Sequence, residues 1–185
     1  MDGRKMLQRR TIEEVNRMDR EEFIARFGTV FEKSTWVAEG AWERRPFEDL
    51  DGLHAAFVGT VNDASEERRV ALIRAHPDLA GKAALASELT EESANEQASA
   101  GLDRLSSGEY ERFHRLNAAY REKFDLPYVV CVRDNTKETI FAGAERRLAN
   151  TREEEIWTAL REISRISRLR LEDLVEGPES TEGRQ

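Results

Sequence analysis

Apolar residues recur along this chain at spacings of three and four. The segments that carry them begin at short polar residues and end at glycine or proline. That is the pattern of helices buried on one face. In residues 18–28, Asp19 is a candidate cap with Glu22 three residues on, Met18 can staple against Phe23, and Gly28 ends the run. Ser34 and Thr35 precede "WVAEGAWERR", which Pro46 closes, and Leu50, Leu53, Phe57 and Val61 mark the next apolar stripe. Ser65 opens "EERRVALIRA", Thr90 opens "EESANEQASAGLDRL", and Ser106 opens "SGEYERFHRLNAAYREKF" with Glu109 in the capping-box position. The longest run follows Thr151, again with an acid (Glu154) three residues on, and Gly177 and Pro178 stop it.

One stretch breaks the helical period. Residues 126–134, "LPYVVCVRD", are short, apolar and β-branched, which periodicity alone assigns neither to a strand nor to a buried extended chain. With no other strand evident, the expectation is an all-α, single-domain bundle of about seven to eight helices, with one extended piece lodged among them. That domain is expected over residues 1–176, followed by a polar, disordered tail over 177–185.

Composition narrows the class. The chain has 185 residues and one cysteine, Cys131, so no disulfide framework exists and a reducing cytoplasm is the expected setting. Charged residues make up 36% and the net charge is −8, which argues against nucleic acid or an anionic membrane as partner. No apolar run approaches the roughly 18–20 residues of a membrane span. No apolar segment follows the basic residues of "MDGRKMLQRR", so no secretory signal is expected, and "GRQ" is not a peroxisomal address.

Three features do not fit a plain helical protein. In "LIRAHPDLAGKAA", residues 72–84, a helical run stops at His76 because Pro77 disfavours the α conformation before it. His76 either caps that helix, where a histidine favours the dipole, or is a reactive group presented rigidly beside the proline. Arg170 lies on or beside the apolar stripe of the last helix, four after Ile166 and four before Leu174. It is either internally paired or a fork for a ligand carboxylate or carbonyl. Ser93, Glu96 and Gln97 share one helix face, which is either solvated or the polar edge of a pocket. His54 and His114 are far from His76, and no HxxxH pair or cysteine cluster exists, so a metal site has little support. Cys131, in an apolar run, reads as inert core.

Taken in order, "FEKSTWVAEGAWERRPF", "AHPDLAGK", "LTEESANEQASAGLDRLS", "FHRLNAAYREKFDLPYVVCVR" and "EISRISRLRLEDLV" resemble the OHCU decarboxylase family of urate degradation. OHCU is 2-oxo-4-hydroxy-4-carboxy-5-ureidoimidazoline. The resemblance runs from about Val15 to about Val175. It implies an all-helical fold, a homodimer, and conversion of OHCU to (S)-allantoin and carbon dioxide with no cofactor and no metal. Its catalytic histidine falls on His76, its essential glutamate on Glu96 and its arginine on Arg170. Substrate contacts are implied at Pro77, at Ser93, Ala94, Asn95, Glu96 and Gln97, and at Tyr128, Val129, Val130, Cys131 and Val132. The chain departs from the family at "FDLPY", where Asp125 replaces a usual glycine and Tyr128 a usual phenylalanine. A urate oxidase is the implied fusion or pathway partner. Competing readings are a catalytically dead binding module on the same fold, an enzyme for a related ureido acid, and a metal-dependent hydrolase using the three histidines.

Overall fold

The computed structural model describes residues 8–80 and 89–177. Gly81 to Ala84, the end of the "LIRAHPDLAGKAA" stretch, lie outside the described residues, as do Pro178 and the tail beyond it. Among the described residues there are nine α-helices, one 3-10 turn and an isolated bridge between Arg10 and Val175. The helices are α1 (Ile12–Arg17), α2 (Arg20–Phe27), α3 (Thr35–Trp42), α4 (Leu50–Asn62), α5 (Glu66–Arg74), α6 (Glu91–Ser99), α7 (Ser107–Phe124), α8 (Lys137–Arg147) and α9 (Arg152–Leu174), with the 3-10 turn at Val132–Asp134. The all-α class is the one the spacing predicts. Two helices go beyond the pattern: α1 buries only Val15, and α8 carries Gly143 in its middle, so neither displays a full apolar stripe.

The caps predicted from sequence form. Asp19 and Glu22, Ser106 and Glu109, and Thr151 and Glu154 each close a reciprocal pair of hydrogen bonds, satisfying N–H groups that a helix start leaves unpaired. Two ends differ from expectation. Helix α3 stops at Trp42, before Pro46, and the Arg45 side chain folds back to donate to the Trp42 carbonyl at 2.9 Å. Helix α6 stops at Ser99 instead of running on through "AGLDRL", because Gly101 takes φ +73° and closes a Schellman motif. The Leu102 and Gly101 amides donate to the Gln97 and Ala98 carbonyls, both at 3.0 Å.

The described residues fall into two compact units. The first comprises residues 8–64 and 167–177. Its core is aromatic: Phe23 and Phe27 lie 4.7 Å apart between ring centres, and Phe31 stacks on Phe57 at 5.8 Å. Helices α3 and α4 pack closely at Gly40, where a Cβ would meet the Thr60 methyl at 2.3 Å. The Arg10 amide donates to the Leu174 carbonyl at 3.0 Å, and the Glu176 amide to the Arg10 carbonyl at 2.8 Å.

The second unit comprises residues 65–80 and 89–166. Phe113 of α7 meets Phe141 of α8 at 4.2 Å, and Leu72, Ile73, Tyr120, Phe124, Leu126, Ile140 and Ile163 are buried with them. This unit holds the His76 loop, α6 and the extended run.

Candidate active site

Ser65 caps α5, accepting the Arg68 amide at 3.3 Å, and the helix buries Val70, Leu72 and Ile73. Its last turn delivers His76, whose amide donates to the Ile73 carbonyl at 3.1 Å and whose ring is 7% exposed. Nδ1 of His76 lies 3.0 Å from the Leu72 carbonyl oxygen. A carbonyl only accepts, so Nδ1 carries the hydrogen, and in the neutral ring the lone pair is on Nε2. Leu72 is one of the last residues of a helix, whose carbonyls lack an intrahelical partner. The capping reading and the reactive reading of His76 therefore meet in one hydrogen bond. By capping, the ring is held in the tautomer that makes Nε2 a base.

The loop after His76 is held from two helices. Asp78 pairs with Arg121 of α7 at 3.1 Å. Asn117 of α7 donates through Nδ2 to the Leu79 carbonyl at 2.9 Å, and the Ala80 amide donates to Oε1 of Gln97 at 3.1 Å. Both bonds are buried, and Ala80 has φ +50°, the left-handed region that an alanine rarely adopts.

Helix α6 begins at the Thr90 cap, whose hydroxyl accepts the Ser93 amide at 3.3 Å. Ser93 and Gln97 are buried, Glu96 is half-buried, and Ala94 and Asn95 are exposed. The polar trio is thus the edge of a packed surface and not a solvated face. Of the five residues expected at the substrate from this helix, the side chains of Ala94 and Asn95 turn to solvent. Helix α6 packs against the 3-10 turn at Val132–Asp134, which brings the trio beside the extended run.

Residues 127–131 are buried and lie outside any helix or strand, and the expected extended segment over 126–134 is shorter than predicted because Val132–Asp134 close a 3-10 turn. Three of their peptide groups are bonded by side chains instead. Arg147 donates to the Val129 carbonyl at 2.7 Å, Glu162 accepts the Cys131 amide at 2.8 Å, and Asn135 donates to the Cys131 carbonyl at 2.9 Å. Arg147 is itself fixed by Glu155, with Nε–Oε1 at 3.0 Å and a second contact at 2.5 Å, and Asn150 donates to the same carboxylate at 2.9 Å. Burial works against the Arg147 charge, but the hydrogen bonds and charge of Glu155 outweigh it and hold the guanidinium above its ordinary range. Burial, with Asp134 nearby, pushes the Cys131 thiol up to about 11, so it is a poor nucleophile at neutral pH.

Tyr128 turns its side chain away from the run's peptide groups and onto α8. Its hydroxyl donates to the Ile140 carbonyl at 3.1 Å, and burial raises it to about 12. A Cβ at Gly143 would meet that hydroxyl at 2.7 Å. Gly143→Ala is therefore expected to destabilise by about 1–3 kcal/mol through overpacking. Most of that loss should vanish in a Tyr128→Phe background, because the phenylalanine lacks the atom that collides. Chemical denaturation of the four-member cycle measures the coupling; additive losses would refute the contact.

Arg170 belongs to the first unit. It is 5% exposed, with its NH1 3.5 Å from a carboxylate oxygen of Glu32 and 3.3 Å from the Val30 carbonyl. An internal partner for this cation therefore exists. Of the other histidines, His54 in that unit lies 3.3 Å from the Ser167 hydroxyl, and His114 in the second unit is exposed, stacked on Tyr110. Among the described residues no three His, Cys, Asp or Glu side chains group as a metal site requires.

A model of the OHCU decarboxylase family matches residues 16–172. The chain belongs to the OHCU decarboxylase family. It is 45% identical over 168 residues to the 2-oxo-4-hydroxy-4-carboxy-5-ureidoimidazoline decarboxylase of Halalkalicoccus jeotgali, covering 91% of this chain and 93% of that one. It is 38% identical to the uric acid degradation bifunctional protein PucL of Bacillus subtilis, covering 89% of this chain and 33% of the relative. Among solved structures, an (S)-allantoin synthase crystal structure superposes with a TM-score of 0.73 at 28% identity, over 90% of this chain and 54% of that one.

Within this family, the departure at Asp125 has a local explanation. Asp125 follows α7 at φ +53°, ψ +36°, the left-handed position that glycine takes without penalty. Its carboxylate pairs with Arg74, and its carbonyl accepts from Arg74 Nε at 3.0 Å, so the aspartate ties the end of α7 to the end of α5. Sequence reasoning missed Glu32, Asn117, Arg147, Glu155 and Glu162. Only Asn117 carried a signal, as a polar residue within the buried row of Phe113, Leu116, Tyr120 and Phe124.

Proposed function

We propose that this protein is a decarboxylase that converts OHCU to (S)-allantoin and carbon dioxide without a cofactor. The observation that carries the reading is the bond from His76 Nδ1 to the Leu72 carbonyl, which makes Nε2 the proton acceptor. Membership of the family supplies the substrate class.

The substrate explains why no cofactor is needed. One ring carbon bears the hydroxyl and the carboxylate. Its neighbour bears the ureido group and is double-bonded to nitrogen. When the carbon–carboxylate bond breaks, its electron pair forms a carbon–carbon double bond and the displaced pair moves onto that nitrogen, which does the work of a cofactor's electron sink. Two protons end on the product, at the nitrogen and at the ureido carbon. One is the former hydroxyl proton and one comes from solvent. Neutral His76 takes the hydroxyl proton through Nε2 and, as imidazolium, returns it to one face of the ring. Glu96 holds the hydroxyl and fixes the ring, and main-chain groups near Val129 and Val130 read the ureido and ring amides. Arg170 stays in the reading as the arginine the family pattern places, suited to an oxygen-rich group. Gln97 spends its carbonyl oxygen on Ala80, which leaves its amide hydrogens for the substrate.

A cytoplasmic homodimer working with a urate oxidase belongs to the same reading. The bifunctional relative supports the pathway partnership. Among the described residues no helix is long and apolar enough to cross a membrane.

The test is circular dichroism of freshly made OHCU with and without the protein. OHCU decays unaided to racemic allantoin, so a rapid (S)-allantoin signal with the protein is expected. A folded protein that produces no signal would sink the decarboxylase reading, and a preference for another ureido acid would replace it.

A further inference from the structure

The bonds from Asn117 and Gln97 converge on a single peptide. The Leu79 carbonyl and the Ala80 amide are the two ends of one peptide plane. Asn117 donates to its oxygen at 2.9 Å, and Gln97 accepts from its N–H at 3.1 Å. The two carboxamides come from different helices, α7 and α6, and both residues are buried, at 8% and 5% exposure. The same plane leads into Ala80 at φ +50°, a conformation that puts Cβ too close to the following carbonyl. Turning that plane over would move Ala80 to negative φ and relieve the crowding, but it would point the carbonyl at the Gln97 oxygen and the N–H at the Asn117 amide. Either mismatch strands buried polar groups, which costs more than the relief gains. The pair of amides therefore selects one orientation of a strained loop.

We infer that Asn117 and Gln97 clamp the Leu79–Ala80 peptide and thereby position His76, making Asn117 a positioning residue for proton transfer. Only Pro77 and Asp78 stand between His76 and the clamped peptide. Pro77, next to the histidine, has a fixed backbone angle, so an orientation set at residue 79 is carried back along a short, stiff segment. Strain held by surrounding structure is characteristic of functional sites. Asn117 reaches the loop through a main-chain carbonyl and so acts on the reaction only through the loop. The inference rests on the decarboxylase reading, because it names a part for Asn117 in that reaction.

The test compares the full chain with Asn117→Ala, and with Asn117→Ala combined with Ala80→Gly, in OHCU turnover and in (S)-allantoin binding. Asn117→Ala is expected to lower kcat about 10- to 100-fold, the scale of a small misplacement of a reacting group. The allantoin dissociation constant should stay within about threefold, because binding energy that does not depend on the loop is retained. Ala80→Gly should recover roughly fivefold of the loss, since glycine enters the left-handed region without a Cβ penalty. A kcat within threefold of the parent, a matching loss of allantoin affinity, or no recovery with glycine would each overturn the inference. An inactive parent would instead sink the decarboxylase reading. Should Asn117→Ala not fold, Asn117→Ser carries the same comparison, and failure of both to fold would make Asn117 a folding residue and overturn the proposal.

Discussion

His76→Asn is expected to be nearly as inactive as His76→Ala, although it keeps the hydrogen bond that holds the loop. The asparagine amide can stand where Nδ1–H stands and donate to the Leu72 carbonyl. It has no counterpart of Nε2. A positioned general acid or base contributes about 100- to 10,000-fold, so both variants should lose kcat on that scale, about 3–6 kcal/mol of barrier. Melting temperatures separate the effects: His76→Asn should melt near the parent, while His76→Ala loses the cap as well. Steady-state turnover with both variants checks this, and substantial activity in His76→Asn would reduce the histidine to a capping residue.

Arg147→Ala is expected to be the most destabilising single change in the second unit. The guanidinium is buried with Glu155, which is fully buried, and also donates to the Val129 carbonyl. Removing one partner of a buried pair strands the other charge and costs roughly 3–5 kcal/mol. A chain of this size loses roughly 2–4 °C per kcal/mol, so the melting temperature should drop by about 10 °C. Arg147→Met combined with Glu155→Leu should recover much of that loss, because no buried charge is left without a partner. Turnover should not return with it, since the Val129 carbonyl loses its donor and the run beside α6 loses its anchor. Thermal melts and OHCU turnover of the single and double variants check both halves. A single variant that melts within 2–3 °C of the parent would refute the importance of the pair.

The helical class was legible because caps and apolar spacing are local properties. Asp19, Ser106 and Thr151 begin helices by bonding amides three residues away, which sequence displays directly. Where a helix ends is less local. Gly101 stops α6 by adopting a positive φ, and Asp125 does the same after α7 although a β-carbon makes that unfavourable. The extended run was recognisable as neither helix nor paired strand, yet its partners were not. Arg147, Glu162 and Asn135 replace a neighbouring strand, and they stand up to 31 residues away.

For the candidate site, the chain by itself placed His76 at a helix stop, Glu96 with its neighbours on one helix face, and Arg170 among apolar residues. The ordered motifs carried the resemblance to the OHCU decarboxylase family. Each of these is a statement about spacing, and the three- and four-residue periods of a helix make spacing readable. Only the tertiary structure decided the tautomer of His76, the occupation of the Gln97 oxygen, the clamp from Asn117, and Glu32 as the partner of Arg170. All but the first join residues 17 to 138 positions apart, from Ala80 and Gln97 to Glu32 and Arg170. The first depends on which nitrogen of the ring faces a carbonyl. Hydrogen bonds are directional and short, so their partners are set by packing in three dimensions, and no pattern along the chain encodes them.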